Sequence, residues 1–252
     1  MLTDTHAHVY SEYYDDIDFV LNESLLNGIN RVICSGVDLR TNQELLKLIN
    51  EYDNMFATLG IHPESVEKYT DFDIEFIENN LFNQKVIAIG EIGLDYHYDN
   101  YNREKQIELF EKQLKLAEQY KLPVVIHSRD ATQDTIDILK KYSLKGIIHS
   151  FSGSIETAKI YIKMGYKLGI NGVVTFKNAH IKEVIKELGV EHIVLETDSP
   201  YLTPEPHRGK KNYPGNVSYI ARFLSEYLNI PKDELEKITN QNIASIFDKI
   251  MQ

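Results

Sequence analysis

His6 and His8 stand two residues apart in "TDTHAHV", and side chains at i and i+2 of an extended strand share one face. Both imidazoles, with Asp4 by the same alternation, are expected to reach into one space. The pattern of a reactive residue after an apolar run recurs along the chain. "VVIH" ends in His127, "GIIH" ends in His149, "VIAIGE" reaches Glu91 and "IVLETD" reaches Asp198. One such histidine alone is more often a packed or solvated side chain than a ligand. Four of them joined by two carboxylates make a metal centre the better reading. Six donors exceed what a single tetrahedral ion with an open position takes, about three protein groups and a water. They suit two divalent ions sharing a carboxylate, an arrangement that activates water for the hydrolysis of phosphate esters and amides.

Donors at opposite ends of the chain must be carried on separate strands that meet. Short apolar or β-branched runs alternate with longer amphipathic stretches, and eight such runs can be counted. In the stretch 102–121, Ile107, Phe110, Leu114 and Ala117 recur at helical spacing. In the stretch 128–142, Asp130 reads as an N-cap with Gln133 three residues on, and the helix is expected to end near Tyr142. Eight strand-then-helix units predict a distorted (β/α)8 TIM barrel, one domain over residues 1–252. Two further helices, over 216–230 and 232–251, read as closing elements. A doubly wound open sheet shares the alternation, but it would usually hold its first and last strands far apart. In a closed barrel every strand end surrounds one mouth, so His6 and Asp198 can meet.

The composition limits the partners. Of 252 residues, 42% are hydrophobic and 26% charged, ordinary for a globular protein. A net charge of −11 argues against broad binding along a nucleic acid backbone, so a polyanion must be held locally. The lone cysteine, Cys34 in "RVICSG", excludes an internal disulfide and reads as a small buried hydrophobe. No secretory pattern and no membrane-spanning apolar stretch is present in the sequence, so a cytoplasmic protein is expected, and a monomer is compatible with it.

The motifs "DTHAH", "GIHPE", "GEIGLDY", "VIHSRD", "HSFSG" and "ETDSPYLTPEPHRGKKN" follow one another in that order. With them the chain resembles the TatD family of metal-dependent deoxyribonucleases over essentially its full length. The resemblance implies a TIM-barrel hydrolase linked to DNase and 3′-exonuclease activity. It also implies His6, His8, Glu91, His127, His149 and Asp198 as ligands of up to two divalent ions (Mg²⁺, Mn²⁺ or Zn²⁺), with Glu91 bridging. Many binuclear relatives carry a modified lysine where Glu91 stands, which disfavours a dihydroorotase- or urease-like reading. Tyr213 in "NYPGN" departs from the glutamate common at that place in the family.

The remaining roles follow from residue chemistry. Asp198 can hold a metal and also orient or deprotonate the attacking water; its bland alternative is an N-cap before Pro200. Glu196, two residues earlier on the same face, is expected to steady a ligand or a water. His62, Arg129 and Arg208 are candidate contacts for phosphate, while Lys210 and Lys211 read as solvated charges. Tyr96, His97, Tyr98 and Tyr101 cluster after the fourth run, where packing over the rim competes with stacking on bases. Ser128, Ser150 and Ser152 read as loop hydroxyls. The expected activity is divalent-metal-dependent cleavage of DNA at strand ends or in single strands, of 3′-exonuclease type. An amidase, esterase or aminoacyl-tRNA deacylase on the same site, or a non-catalytic scaffold barrel, are the alternatives.

Overall fold

A computed structural model describes residues 1–251. Eight strands run β1 (Leu2–Ala7), β2 (Ile29–Ser35), β3 (Met55–Leu59), β4 (Val86–Asp95), β5 (Val124–Arg129), β6 (Gly146–Ile148), β7 (Tyr166–Ile170) and β8 (Ile193–Leu195). They form one sheet in sequential order, and each neighbouring pair is parallel. Seven helices connect them: α1 (Ile17–Leu26), α2 (Leu39–Glu51), α3 (Asp71–Asn80), α4 (Arg103–Tyr120), α5 (Thr132–Leu139), α6 (Ile155–Lys163) and α7 (Ile181–Leu188). The helices α8 (Val217–Leu228) and α9 (Lys232–Ile246) follow β8. This is the TIM-barrel order expected from the alternation. Among the described residues, no helix is long and apolar enough to cross a membrane.

The ring closes between β8 and β1 mainly through the residues that follow β8. Ala7 pairs with Ser199 in a single parallel bridge, and the His8 amide donates to the Ser199 carbonyl at 2.7 Å. Asp4 was expected beside the two imidazoles. Its buried carboxylate is instead committed to this seam, where Oδ1 accepts the Thr197 amide at 2.8 Å and Oδ2 accepts the Thr197 hydroxyl. Such bonds across a barrel seam fix its register.

Two apolar clusters divide the interior. The larger lies between strands and helices and includes Val32, Leu45, Ile89, Phe110, Leu114 and Leu224. In the smaller, Ile33, Ile87, Val125, Ile147 and Val194 from the strands meet Ile243, Ile246, Phe247 and Ile250. The barrel interior is therefore packed rather than open, and the end of α9 plugs it. Cys34 is fully buried, and that burial pushes its thiol pKa up, as suits a small core residue.

Helix α4 is close to the stretch expected. Asn102 caps it by accepting the Lys105 amide at 3.2 Å, and Phe110, Leu114 and Ala117 are buried while Ile107 is partly so. Helix α5 differs from expectation. Asp130 does not cap it; Asp130 adopts φ +54 and its carboxylate lies 2.9 Å from His97 Nδ1, leaving Ala131 at the cap position. The helix ends at Leu139 instead of near Tyr142. Helix α9 ends at Ile246, and a short 3-10 turn over Asp248–Met251 follows.

Candidate metal centre

The six donors reach the mouth from five strands. His6 lies within β1 and His8 just beyond it, His149 follows β6, and Asp198 stands three residues past β8. Glu91 and His127 were read as strand ends but lie inside β4 and β5. The β4–β5 register shifts between Ile89 and Ile92, and the Glu91 amide donates instead to the Gly36 carbonyl at 2.9 Å. That irregularity turns Glu91 inward while the ladder resumes beyond it. Gly93 makes the return possible: a Cβ there would stand 1.9 Å from the His127 carbonyl oxygen.

Glu91 divides the site. Its Oε2 lies 3.3 Å from His6 Nε2 and 3.6 Å from His8 Nε2. Its Oε1 lies 3.0 Å from His127 Nδ1, 3.6 Å from His62 Nε2 and 3.8 Å from His149 Nε2. Asp198 Oδ1 stands 3.4 Å from His8 Nε2, 3.7 Å from His6 Nε2 and 3.8 Å from His149 Nε2. Among the described residues, three trios have donor atoms close enough to share an ion: His6–His8–Glu91, His6–His149–Asp198 and His62–Glu91–His127.

These donors fit divalent ions. Metal–ligand bonds of about 2.1 Å set tetrahedral ligand atoms about 3.4 Å apart, and most of the separations above cluster there. The far ring nitrogens are held from outside. His6 Nδ1 lies 3.1 Å from Ser35 Oγ, His8 Nδ1 lies 3.1 Å from the Tyr10 hydroxyl, and His149 Nδ1 lies 2.9 Å from Glu196 Oε1. Each of these three imidazoles thus turns Nε2 toward the centre, with its orientation fixed by the layer behind. His127 differs, with its two nitrogens 3.0 Å from Glu91 Oε1 and 3.0 Å from Asp95 Oδ2. Above the donors opens a cavity of about 730 Å³, lined among others by Tyr13, Tyr98, Arg129, Phe151 and Tyr201.

With this geometry in place, relationships to known proteins become informative. A family profile described as TatD related DNase matches residues 3–248. The chain is 40% identical over 252 residues to the uncharacterized metal-dependent hydrolase YabD of Bacillus subtilis, covering 98% of this chain and 99% of that one. The crystal structure of YJJV, a TatD homologue from Escherichia coli, superposes with a TM-score of 0.93 at 31% identity, covering 98% of each chain. A TatD-family hydrolase from Entamoeba histolytica gives 0.85 at 25% identity, covering 98% of this chain and 97% of that one. The chain belongs to the TatD-related DNase family. It is a metal-dependent hydrolase of that family, with clusters of His, Asp and Glu able to hold metal.

Several donors of this TatD-family chain carry perturbed protonation. Burial raises the Glu91 carboxyl, but His6, His149 and His62 around it prevail and hold it well below the usual carboxylate range. Burial likewise opposes charging of His149 and His127, yet both go up. Glu196, Asp198 and Glu91 push His149 to about 10, and Asp95 and Glu91 push His127 to about 9. His62 goes the other way, to about 3, because burial dominates and His127 repels its proton. The cluster is thus an acidic nest that holds protons where cations would displace them.

The structure brings all six expected donors and Glu196 together. Glu196 is fully buried and also accepts the Ser150 amide at 2.7 Å. His62 sits deeper than a rim contact, inside the donor cluster. Arg129 is at the mouth, over the Tyr98 ring. Arg208 is not: its guanidinium stacks 4.2 Å from the Phe176 ring centroid, outside the cavity lining. Asp95 was missed. It is buried, accepts the His97 amide at 2.9 Å and faces His127. Its signal was available, because positions 91, 93 and 95 of one strand alternate back to the same face.

Proposed function

We propose that this chain hydrolyses phosphodiester bonds of DNA, at strand ends or in single strands and from the 3′ end, with two divalent ions. The observation that carries the reading is the division of donors by Glu91, one oxygen toward His6 and His8, the other toward His62, His127 and His149. That is the disposition of a bridging carboxylate between two sites. The family description as a DNase supports the choice of bond. His6, His8, Glu91 and Asp198 would hold one ion, and Glu91, His127 and His149 the other, with His62 alongside. When bound, such ions make water acidic enough to attack at neutral pH and draw charge from the phosphoryl oxygens.

The protein's own groups supply position and proton transfer. The nearby His149, His8 and His6 keep Asp198 ionised despite its burial. Asp198 is therefore the group that orients the attacking water and receives its proton. Its backbone, at φ +56, is held by its own amide, which donates a hydrogen bond to the His6 carbonyl at 2.9 Å, so a sparsely populated conformation is kept in place by the barrel seam. Glu196 fixes the His149 ring, and Arg129 stands where its fork can take a phosphate oxygen.

The test is cleavage of 3′-labelled single-stranded DNA by Mn²⁺-reconstituted protein, beside a panel of carboxyl esters, amides and charged transfer RNAs. Release of 3′ nucleotides is expected, and His127→Ala is expected to abolish it while leaving the folded protein intact. Turnover of esters or charged transfer RNA with DNA left whole would overturn the reading.

A further inference from the structure

Outside the donor cluster, the mouth carries two aromatic stations with a cation at each. At the β8–β1 seam, the hydroxyls of Tyr13 and Tyr201 lie 2.9 Å apart and their rings meet edge to face at 5.8 Å. The Tyr201 ring stands 6.4 Å from the His8 imidazole, yet 49% of this residue is exposed. Lys211 donates to the Tyr13 carbonyl beside it. At the β4–β5 edge, Tyr98 is 53% exposed and the Arg129 guanidinium lies 5.7 Å from its ring centroid.

Their placement follows from topology. In a ring of eight strands in sequential order, the β8–β1 seam and the β4–β5 edge are diametrically opposed. Glu91 and Asp198 line the same cavity. Neighbouring aromatics are already engaged: Tyr96 stacks on Tyr101 at 4.6 Å and donates to Asp134 at 2.8 Å. Tyr98 and Tyr201 line the cavity and are about half exposed, which leaves ring surface there for a ligand to cover. With a net charge of −11, long-range attraction cannot hold a polyanion. Stacking, which does not depend on net charge, can.

We infer that Tyr201 and Tyr98 each stack on a nucleobase, one on either side of the phosphate presented to Glu91 and Asp198. This selects a flexible single strand over both stacked duplex and small esters. The inference rests on the phosphodiesterase reading above.

The experiment uses a 5′-fluorescein single-stranded oligonucleotide and versions with an abasic site at the terminal or penultimate 3′ position. Binding is read by anisotropy in EDTA, and KM and kcat are read with Mn²⁺. Tyr201→Ala and Tyr98→Ala are each expected to weaken binding and raise KM about ten-fold, while Tyr201→Phe and Tyr98→Phe retain most of the affinity. Wild-type protein is expected to lose a similar factor on an abasic strand, where the matching alanine variant loses nothing further. Alanine variants that bind as wild type, or that lose as much on the abasic strands, would overturn the stacking inference while strand cleavage by the wild type upheld the phosphodiesterase reading. Wild-type protein that neither binds nor cleaves single strands would overturn both.

Discussion

The two ends of this barrel are built on opposite principles. At the mouth, buried histidines and carboxylates crowd around Glu91, and of the six non-glycine residues with positive φ among the described residues four gather there: Asp130, Ser150, Asp198 and Leu202. At the other end, Ile243, Ile246, Phe247 and Ile250 close on apolar strand residues. The Lys249 ammonium there donates to three carbonyls, those of Leu81, Asn83 and Val86, at 2.8 to 3.1 Å. Buried charge and unfavourable backbone conformations cost stability; burying apolar side chains stabilises. The plug and the shared core thus offset what the mouth withholds, and the two ends should separate under mutation.

The largest effects should come from one substitution at each end. Glu91→Gln removes the charge that both halves of the donor cluster share, and we expect turnover to fall by more than about a hundred-fold, since even residues behind metal ligands account for 10–100-fold. Its melting temperature without metal should fall at neutral pH, because the protonated His127 and His149 lose a buried counter-charge. Phe247→Ala should act on stability alone. It empties a fully buried ring site and should cost about 3–5 kcal/mol of stability, with turnover per folded molecule preserved. Chemical denaturation alongside metal-loaded kinetics reads both. A Phe247→Ala protein that stays stable but loses turnover would break the division between the ends.

Glu196→Gln should be smaller. It touches no substrate in the proposed arrangement; it fixes His149 Nδ1 at 2.9 Å and accepts the Ser150 amide at 2.7 Å. The amide side chain can still accept from one partner, so we expect a loss of about ten- to a hundred-fold in metal affinity. Isothermal titration with Mn²⁺ checks this. Unchanged affinity would mean that the orientation of His149 is set by packing alone, including its stack on His6 at 3.6 Å.

How much of the mouth was readable in sequence depends on range. His6, His8, His127 and His149 announce themselves, because an apolar run followed by a polar donor is a local pattern, and strand ends of a barrel converge by topology. Asp95 was just as local, two alternations beyond Glu91 in the same strand, but the strand was taken to stop at Glu91. The fate of Asp4 was not local. Alternation put it with the imidazoles, whereas closure of the ring brought Thr197 beside it from the far end of the chain. Arg208 shows the same limit: a loop of the eighth unit could reach the mouth, but the ring of Phe176 holds it aside. The Asp130 cap failed because His97, on a neighbouring loop, claimed its carboxylate. Element order and donor identity are short-range properties; the partner chosen by each polar side chain is settled by packing between loops.

The smallest effect concerns the protons at the mouth. With metal chelated, His127 and His149 have pKa values raised to about 9 and about 10 from the ordinary 6.5. A raised folded-state value means that the folded form binds the proton more tightly than the unfolded chain. Their contribution is therefore complete below pH 6.5 and disappears as pH climbs through 9 to 10. His62, lowered to about 3, works in the opposite sense: unfolding is favoured as pH drops from 6.5 toward 3, where only the unfolded chain takes up its proton. Melting temperature in EDTA should thus peak near neutrality and decline on both sides. Mn²⁺ must displace the protons on His127 and His149, so its stabilising increment should grow from pH 6.5 to 9, filling in the alkaline side. Melting curves across pH with EDTA or Mn²⁺ read the difference directly. A metal increment independent of pH would show that the bound ions do not engage those two imidazoles, and would shift the centre toward His6, His8 and Asp198.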